Sequence, residues 1–357
     1  MKSFVKICFI LLTFACLFAI SCSPTDRYIS FSGYAQGGVY TVKLNLNGKD
    51  GMIRISPQKI QKSVDAILNE IDNSLSGYNK NSILSRFNNG ETVVPDVIFT
   101  DIYEKAYNLY EETEGIVDVA SAPLFDIWGF GFKSGELPSE EKVSETLEGC
   151  GMRRLKKDIF SSISENNTLT GEALMNSADG TLPKLNYNAI AQGYSCDLVA
   201  EYLYSIGVKD MMVDIGEIFC DGVNPHGKPW SLGIDRPTDG NNNPGESLQG
   251  IFHAPSGAHG IVTSGNYRKY YIRDGKKYAH TIDPRTGKPV CHNLLSATIL
   301  APDATTADAY ATYCMVVGLE EAKKLLAENE QLEGCLIYDD NGTFATWCSE
   351  GFILKNL

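Results

Sequence analysis

The stretch from Ser296 to Gly318 does most to limit how this chain can fold. Ser296 to Asp303 alternates small, β-branched and apolar residues as a buried strand does, and the run ends at Pro302. Ala304 to Gly318 then follows helical spacing, with Gly318 as the C-terminal cap. On that helix Asp308 and Thr312 are four residues apart, so a carboxylate and a hydroxyl project from one face. Hard oxygen donors suit Mg²⁺, whereas zinc prefers Cys or His. The same spacing equally describes a solvated helix face carrying a hydroxyl bonded back to its own helix.

Just upstream, Lys277 to Pro289 places His280, Asp283 and Arg285 within six residues and closes on a Pro-Arg-Thr-Gly-Lys-Pro turn. Proline fixes φ near −65° and glycine permits positive φ, so the turn presents its side chains in a defined place. Two readings fit this stretch: a catalytic imidazole on a rigid turn, or an ordinary hairpin end with a histidine on it.

The N-terminus reads as an export signal. Lys2 and Lys6 precede an apolar run from Ile7 to Ile20, too short for a stable membrane span, and Ser21-Cys22 follows. The expectation is a lipoprotein signal over 1–21, lipidation at Cys22, a tether over 22–31 and one catalytic domain over 32–357, exported and membrane-anchored on the periplasmic side. Ala19 stands where such signals more often carry Leu, and an uncleaved N-terminal anchor is the alternative.

Removing the signal takes two lysines and no acid, moving the balance further negative than the −13 of the whole chain. That charge argues against nucleic acid, whose backbone needs clustered Lys and Arg. Ten cysteines include seven beyond Cys22, an odd number, and no C-x-x-C pair occurs. The sequence therefore implies neither a zinc site nor a full disulfide framework, although export permits one or more bridges.

Ser32 to Leu46 alternates like a strand with Gly37-Gly38 inside it. Pro57 to Leu75 carries Ile60, Val64, Ile67, Leu68, Ile71 and Leu75 at helical spacing, a buried stripe with Pro57 in the first turn. Helices are also expected over Thr100 to Thr113, Ser139 to Glu148 and up to about Ile206. Strands are expected over Met211 to Ile215, Trp230 to Arg236 and Gly260 to Tyr271. Ser161 to Lys184 reads as strand edges and turns, and Asp239 to Gly245 as a surface loop. By pattern the chain is mixed α and β, with no doubly wound glycine fingerprint.

Several segments, in order, resemble the ApbE family of FAD:protein FMN transferases. Asn186-Tyr-Asn-Ala189-Ile-Ala-Gln192-Gly-Tyr resembles the family's Asp-(Leu/Phe)-(Gly/Ser)-x-(Ile/Val)-(Ala/Gly)-(Lys/Glu)-Gly-Tyr segment. Val213 to Ile218, the His280 to Pro289 turn and the Ala-Asp308-Ala-x-x-Thr312 helix follow. Tyr78 to Asn88 and Gly115 to Phe130 match two further family regions, so the resemblance runs from about Ser32 onward.

This resemblance implies an α+β catalytic domain, related to the T-fold, with two closely packed lobes and a flavin cleft between them. It implies His280 as general base and Ala189, Asp308 and Thr312 as Mg²⁺ ligands, the first through its backbone carbonyl. Contacts to FAD, the substrate, are implied for Gln36, Tyr78, Ile116, Val117, Asp118, Asn186, Gln192 and Ile282. Asp283 and Arg285 are expected to hold the turn together, and Trp128 and Phe130 to form core or pocket wall. The implied partner is an acceptor flavoprotein with a flavinylated Thr or Ser. The chain departs from the pattern at Gln36, where only the following glycine matches, and at Asn186 and Gln192, where amides replace charged side chains. An amide hydrogen-bonds but cannot balance charge. Two alternatives stay open at this stage: an FAD pyrophosphatase releasing FMN and AMP, and a non-catalytic FAD-binding lipoprotein.

Overall fold

In the computed structural model, residues 27–130, 137–160, 168–176, 181–239, 241, 243, 245–268, 270–273 and 276–357 are described. The expected signal over 1–21, Cys22 and the first part of the tether lie outside them, as do Gly131 and parts of 161–184 and 239–245.

Eight strands form one antiparallel sheet whose spatial order follows the chain. They are β1 (Tyr28–Ala35), β2 (Gly38–Asn45), β3 (Met211–Asp214), β4 (Ile218–Asp221), β5 (His259–Gly265), β6 (Leu294–Ala301), β7 (Glu333–Asp340) and β8 (Thr343–Cys348). Most of the chain is inserted between these strands. The helices α1 (Pro57–Leu75), α2 (Ile83–Asn88), α3 (Val97–Glu112), α4 (Ala122–Ile127), α5 (Glu140–Glu148), α6 (Gly171–Leu174) and α7 (Ala191–Ser205) lie between β2 and β3. Helices α8 (Ala304–Val317) and α9 (Leu319–Glu328) lie between β6 and β7. The α+β architecture is therefore as expected.

The expected strand over Ser32 to Leu46 is instead a hairpin. Gln36 and Gly37 take φ of 52° and 81°, the backbone of a two-residue turn that matches sheet twist. Alternation of period two runs on through so short a turn, so pattern alone cannot separate one strand from two. Tyr28 to Phe31 already pair with Val42 to Asn45, so the tether expected over 22–31 gives way to sheet at Tyr28. The Gly260–Tyr271 strand also divides: β5 ends at Gly265, and Tyr270–Arg273 pairs separately with Lys276–Ala279.

Helix α1 forms as its sequence dictates. Ser56 Oγ accepts the Lys59 N–H at 3.3 Å, Pro57 occupies the first turn, and Ile60, Val64, Leu68, Ile71 and Leu75 are buried. Each such side chain contributes roughly 2 kcal/mol on leaving water. Helix α3 begins at Val97, earlier than the expected Thr100, because the Asp96 carboxylate caps the Phe99 N–H at 2.7 Å.

A continuous core joins these helices to one face of the sheet. The other face packs a smaller cluster, including Trp230, Phe252, Cys335 and Phe352, against a three-stranded sheet of Ser231–Asp235, Leu248–His253 and Leu354–Asn356. A third cluster, Leu124, Cys150 and Ile282, joins α4 to the histidine-bearing segment.

Candidate active site

Helices α7 and α8 meet at Ala304. A methyl group on Gly193 would lie 2.1 Å from the Ala304 carbonyl oxygen, and one on Gly260 would lie 2.3 Å from its Cα. Two glycines thus seat the start of α8 against both α7 and β5. The α8 N-terminus is capped twice: Asp303 accepts the Thr306 N–H at 2.7 Å, and Asp197, reaching across from α7, accepts the Ala304 and Thr305 N–H groups at 2.8 Å each.

This close seating buries Asp308, which is 5% exposed, against the first turn of α7, where its Oδ2 accepts the Gly193 N–H at 3.1 Å. The solvated-face reading of Asp308 therefore does not hold. Burial pushes its carboxyl up to about 8; the Gly193 N–H opposes that rise and the nearby Asp197 charge adds to it. Asp197 is pushed up to about 6, chiefly by burial. Glu217, at the β3–β4 turn, is raised by burial and then by the charge of Asp308.

Hydrogen bonds tie two of the expected contact residues, Gln192 and Gln36, to the α7 region, while the others are held elsewhere. Gln192 Nε2 donates to the Ile215 carbonyl at 3.1 Å, tying α7 to the β3–β4 turn. A carboxylate at 192 could not make that bond. The Asn186 N–H donates to Val119 O at 2.7 Å, and Asn186 Oδ1 accepts the Asn188 N–H at 2.9 Å, a role a carboxylate would fill equally. Gln36, at the β1–β2 turn, donates to Ser195 of α7.

Asp118 serves the backbone: it accepts N–H groups from Ala120 and Met152, and burial raises it to about 6. Ile116 and Val117 are 6% and 1% exposed, so little of either residue is open to a ligand. Tyr78 stands 78% exposed beyond α1, on a turn that Ser82 and Ser85 fasten by donating to Ser76 O.

The His280 segment packs against α4 and α8. Asp283 accepts from the Arg285 backbone N–H at 2.9 Å, Nε at 3.0 Å and Nη2 at 2.9 Å, so these two residues lock the turn, as expected. Trp128 Nε1 donates to Gly287 O at 2.7 Å, and four rings stack in the order Trp128, Tyr278, Tyr271, Phe130. Phe130 meets the His280 ring edge-on, at 6.5 Å between centroids. Trp128 and Phe130 thus pack at the edge of the Leu124, Cys150 and Ile282 cluster. Ile282 is 5% exposed, and the short Ile282–Asp283 strand lies against α8, the Asp308 helix.

Among the described residues, no group of three or more His, Cys, Asp or Glu side chains converges as a metal site. A cation here would instead rest on one carboxylate with hydroxyl and backbone oxygens. Asp308 fits that role: it is a buried acid reached by none of the ion pairs among the described residues. Thr312 is half-buried one turn further along α8, and Ala189 is half-buried just ahead of α7. A separate cavity of about 370 Å³ between α3, α7 and the α8 N-terminus is lined by none of the expected site residues.

Sequence reasoning missed Asp197, Gly193 and the position of Glu217. The spacing of Gly193 and Asp197, one turn apart on α7, is the one sign the sequence gives that this helix face meets something.

A meandering antiparallel sheet whose two packed helices bury Asp308, with a histidine-bearing locked turn packed on the second of them, defines an α+β fold with a buried acidic site. The family model described as "ApbE family" matches residues 37–336, and the chain belongs to that family. It is 34% identical over 341 residues to a Haemophilus influenzae protein named FAD:protein FMN transferase, covering 93% of this chain and 92% of the relative. An Escherichia coli K12 protein of the same name is 33% identical over 303 residues, covering 83% and 80%. Among solved structures, the flavin transferase ApbE from Vibrio cholerae superposes with a TM-score of 0.73 at 30% identity, over 91% of this chain and 98% of that one.

Proposed function

We propose that this chain is an Mg²⁺-dependent FAD:protein FMN transferase that moves FMN from FAD onto a Thr or Ser hydroxyl of an acceptor flavoprotein and releases AMP. The observation that carries this reading is Asp308, a buried acid held by the Gly193 N–H on the helix against which the Ile282–Asp283 strand of the histidine segment packs. Its relatives' names supply the substrate class.

Asp308, Thr312 and the Ala189 carbonyl would hold Mg²⁺, which supplies charge neutralisation for the pyrophosphate and the departing AMP. FAD would lie in a cleft bounded by the β1–β2 turn, Asn186, Gln192 and the buried Ile282. His280, oriented by Phe130 and by the Asp283–Arg285 turn, takes the acceptor hydroxyl proton. The acceptor oxygen then bonds to the FMN phosphorus as the P–O bond to AMP breaks. Proton transfer of this kind contributes typically 10²–10⁴-fold. Cys22, placed after the export signal, would carry the lipid that keeps the enzyme at the membrane, facing the periplasm.

The test is incubation of the mature protein with FAD and Mg²⁺, with and without an acceptor domain. An acceptor mass gain of one FMN with release of AMP supports the transferase. Free FMN and AMP in both tubes would point to a pyrophosphatase, and intact bound FAD to a carrier; either overturns the proposal.

A further inference from the structure

Strands β7 and β8 pair in a register that sets Cys335 directly opposite Cys348. At the next pair the Ser349 N–H donates to Gly334 O at 2.9 Å, while the Gly334 N–H donates to Ser349 Oγ at 2.8 Å. Hydrogen-bonded and non-hydrogen-bonded pairs alternate along an antiparallel ladder, so Cys335 and Cys348 occupy a non-hydrogen-bonded pair. There the Cα atoms lie about 4.5 Å apart with side chains close, inside the range of roughly 4.4–6.8 Å that a disulfide spans.

Both sulfurs lie on one face. Cys335 belongs to the cluster of Trp230, Phe252 and Phe352, and Cys348 packs against that same cluster. Their accessibility differs: Cys335 is fully buried, whereas Cys348, on the outermost strand, is half-buried. The thiols engage each other, which lowers Cys348 from the ordinary thiol value and raises Cys335. Cys150, Cys196, Cys220 and Cys314 are buried, and Cys291 is exposed.

We propose that Cys335 and Cys348 form a thiol–disulfide exchange site that closes into a cross-strand disulfide pinning β8 to the sheet. The co-reactant is a disulfide-bearing oxidant. The Cys348 thiolate attacks one of its sulfurs, forming a mixed disulfide and releasing one thiolate. The Cys335 thiolate then attacks the Cys348 sulfur and expels the second. The protein loses two hydrogens as two protons and two electrons, and the oxidant leaves as two thiols.

The test uses the full mature chain carrying Cys291→Ser, with oxidised glutathione as probe. Mass spectrometry under non-reducing conditions should show peptides containing residues 335 and 348 joined, with the chain lighter by two hydrogens. A disulfide closing so short a loop should raise Tm by about 5 °C, reversed by dithiothreitol. With Cys335→Ser added, a glutathione adduct should persist on Cys348. With Cys348→Ser added, Cys335 should stay unmodified. Two alkylatable thiols after oxidation, a glutathione adduct that Cys335 does not resolve, or a linkage to another cysteine would each overturn the proposal.

Discussion

Replacing Gly193 by alanine should damage activity far more than its single methyl group suggests. The added Cβ would sit 2.1 Å from Ala304 O, 2.6 Å from its carbonyl carbon and 2.9 Å from Thr305 N. All three are backbone atoms, so no side chain can swing aside, and α7 and α8 must part by roughly 1 Å to restore ordinary contact. That parting lengthens the 3.1 Å bond from the Gly193 N–H to Asp308 and strains the Asp197 cap on Ala304 and Thr305. Overpacking of this kind costs about 1–3 kcal/mol, a drop of several degrees in Tm for a chain of this size. A shift of about 1 Å in a site residue costs on the order of 10²-fold in rate. The assay is FMN transfer to an acceptor, run beside thermal unfolding on Gly193→Ala and on Asp308→Asn. The asparagine keeps the shape and the hydrogen bond, so it should hold Tm near or above wild type while abolishing Mg²⁺-dependent turnover. A Gly193→Ala protein with wild-type Tm and rate would refute the account of the helix contact. Undiminished turnover in Asp308→Asn would refute the metal role.

Stability should also follow pH through Asp308. Its folded value, about 8, stands above its ordinary 3.8, so its stabilising contribution is complete below the unfolded value and is lost as pH rises through about 8. Metal-free protein should therefore gain Tm as pH falls from 8 to 6.5, above the range where His292, lowered by burial, begins to act in the opposite sense. Asp308→Asn should lessen that slope in a calorimetric pH series, leaving the part that buried Glu217 contributes in the same sense. Replacing His280 by alanine should cut transfer by 10²–10⁴-fold while leaving FAD binding, followed by flavin fluorescence, nearly unchanged. Trp128→Phe removes the bond to Gly287 O, and unfolding in denaturant should show a loss of about 1 kcal/mol.

What could be read from the sequence depended on how local the determining physics is. Helix α1 was legible because one face is apolar and Pro57 marks its start. The Asp283–Arg285 lock was legible because both partners lie on one turn. The burial of Asp308 was not, since α8 is rich in alanine and buried on most sides, leaving no stripe to say which face meets a neighbour. The deciding residues, Gly193 and Gly260, are remote in sequence and act by lacking a side chain. The Gln36–Gly37 turn escaped because a tight hairpin preserves alternation. The pairing of Cys335 with Cys348 follows from strand register, which no composition or cysteine count encodes.

The chain-ordered sheet has a kinetic consequence. Every neighbouring strand pair is joined by a modest connection except β2 and β3, which residues 46–210 separate. The entropy of closing a loop grows only with the logarithm of its length, and the helices in this one shorten its effective span by folding locally. The sheet would then grow from two nuclei, the β1–β2 hairpin and the β3–β8 meander. Until α1 to α7 are packed, the inner edge of β2 remains open, and joining these two halves becomes the slowest step on the way to the native state.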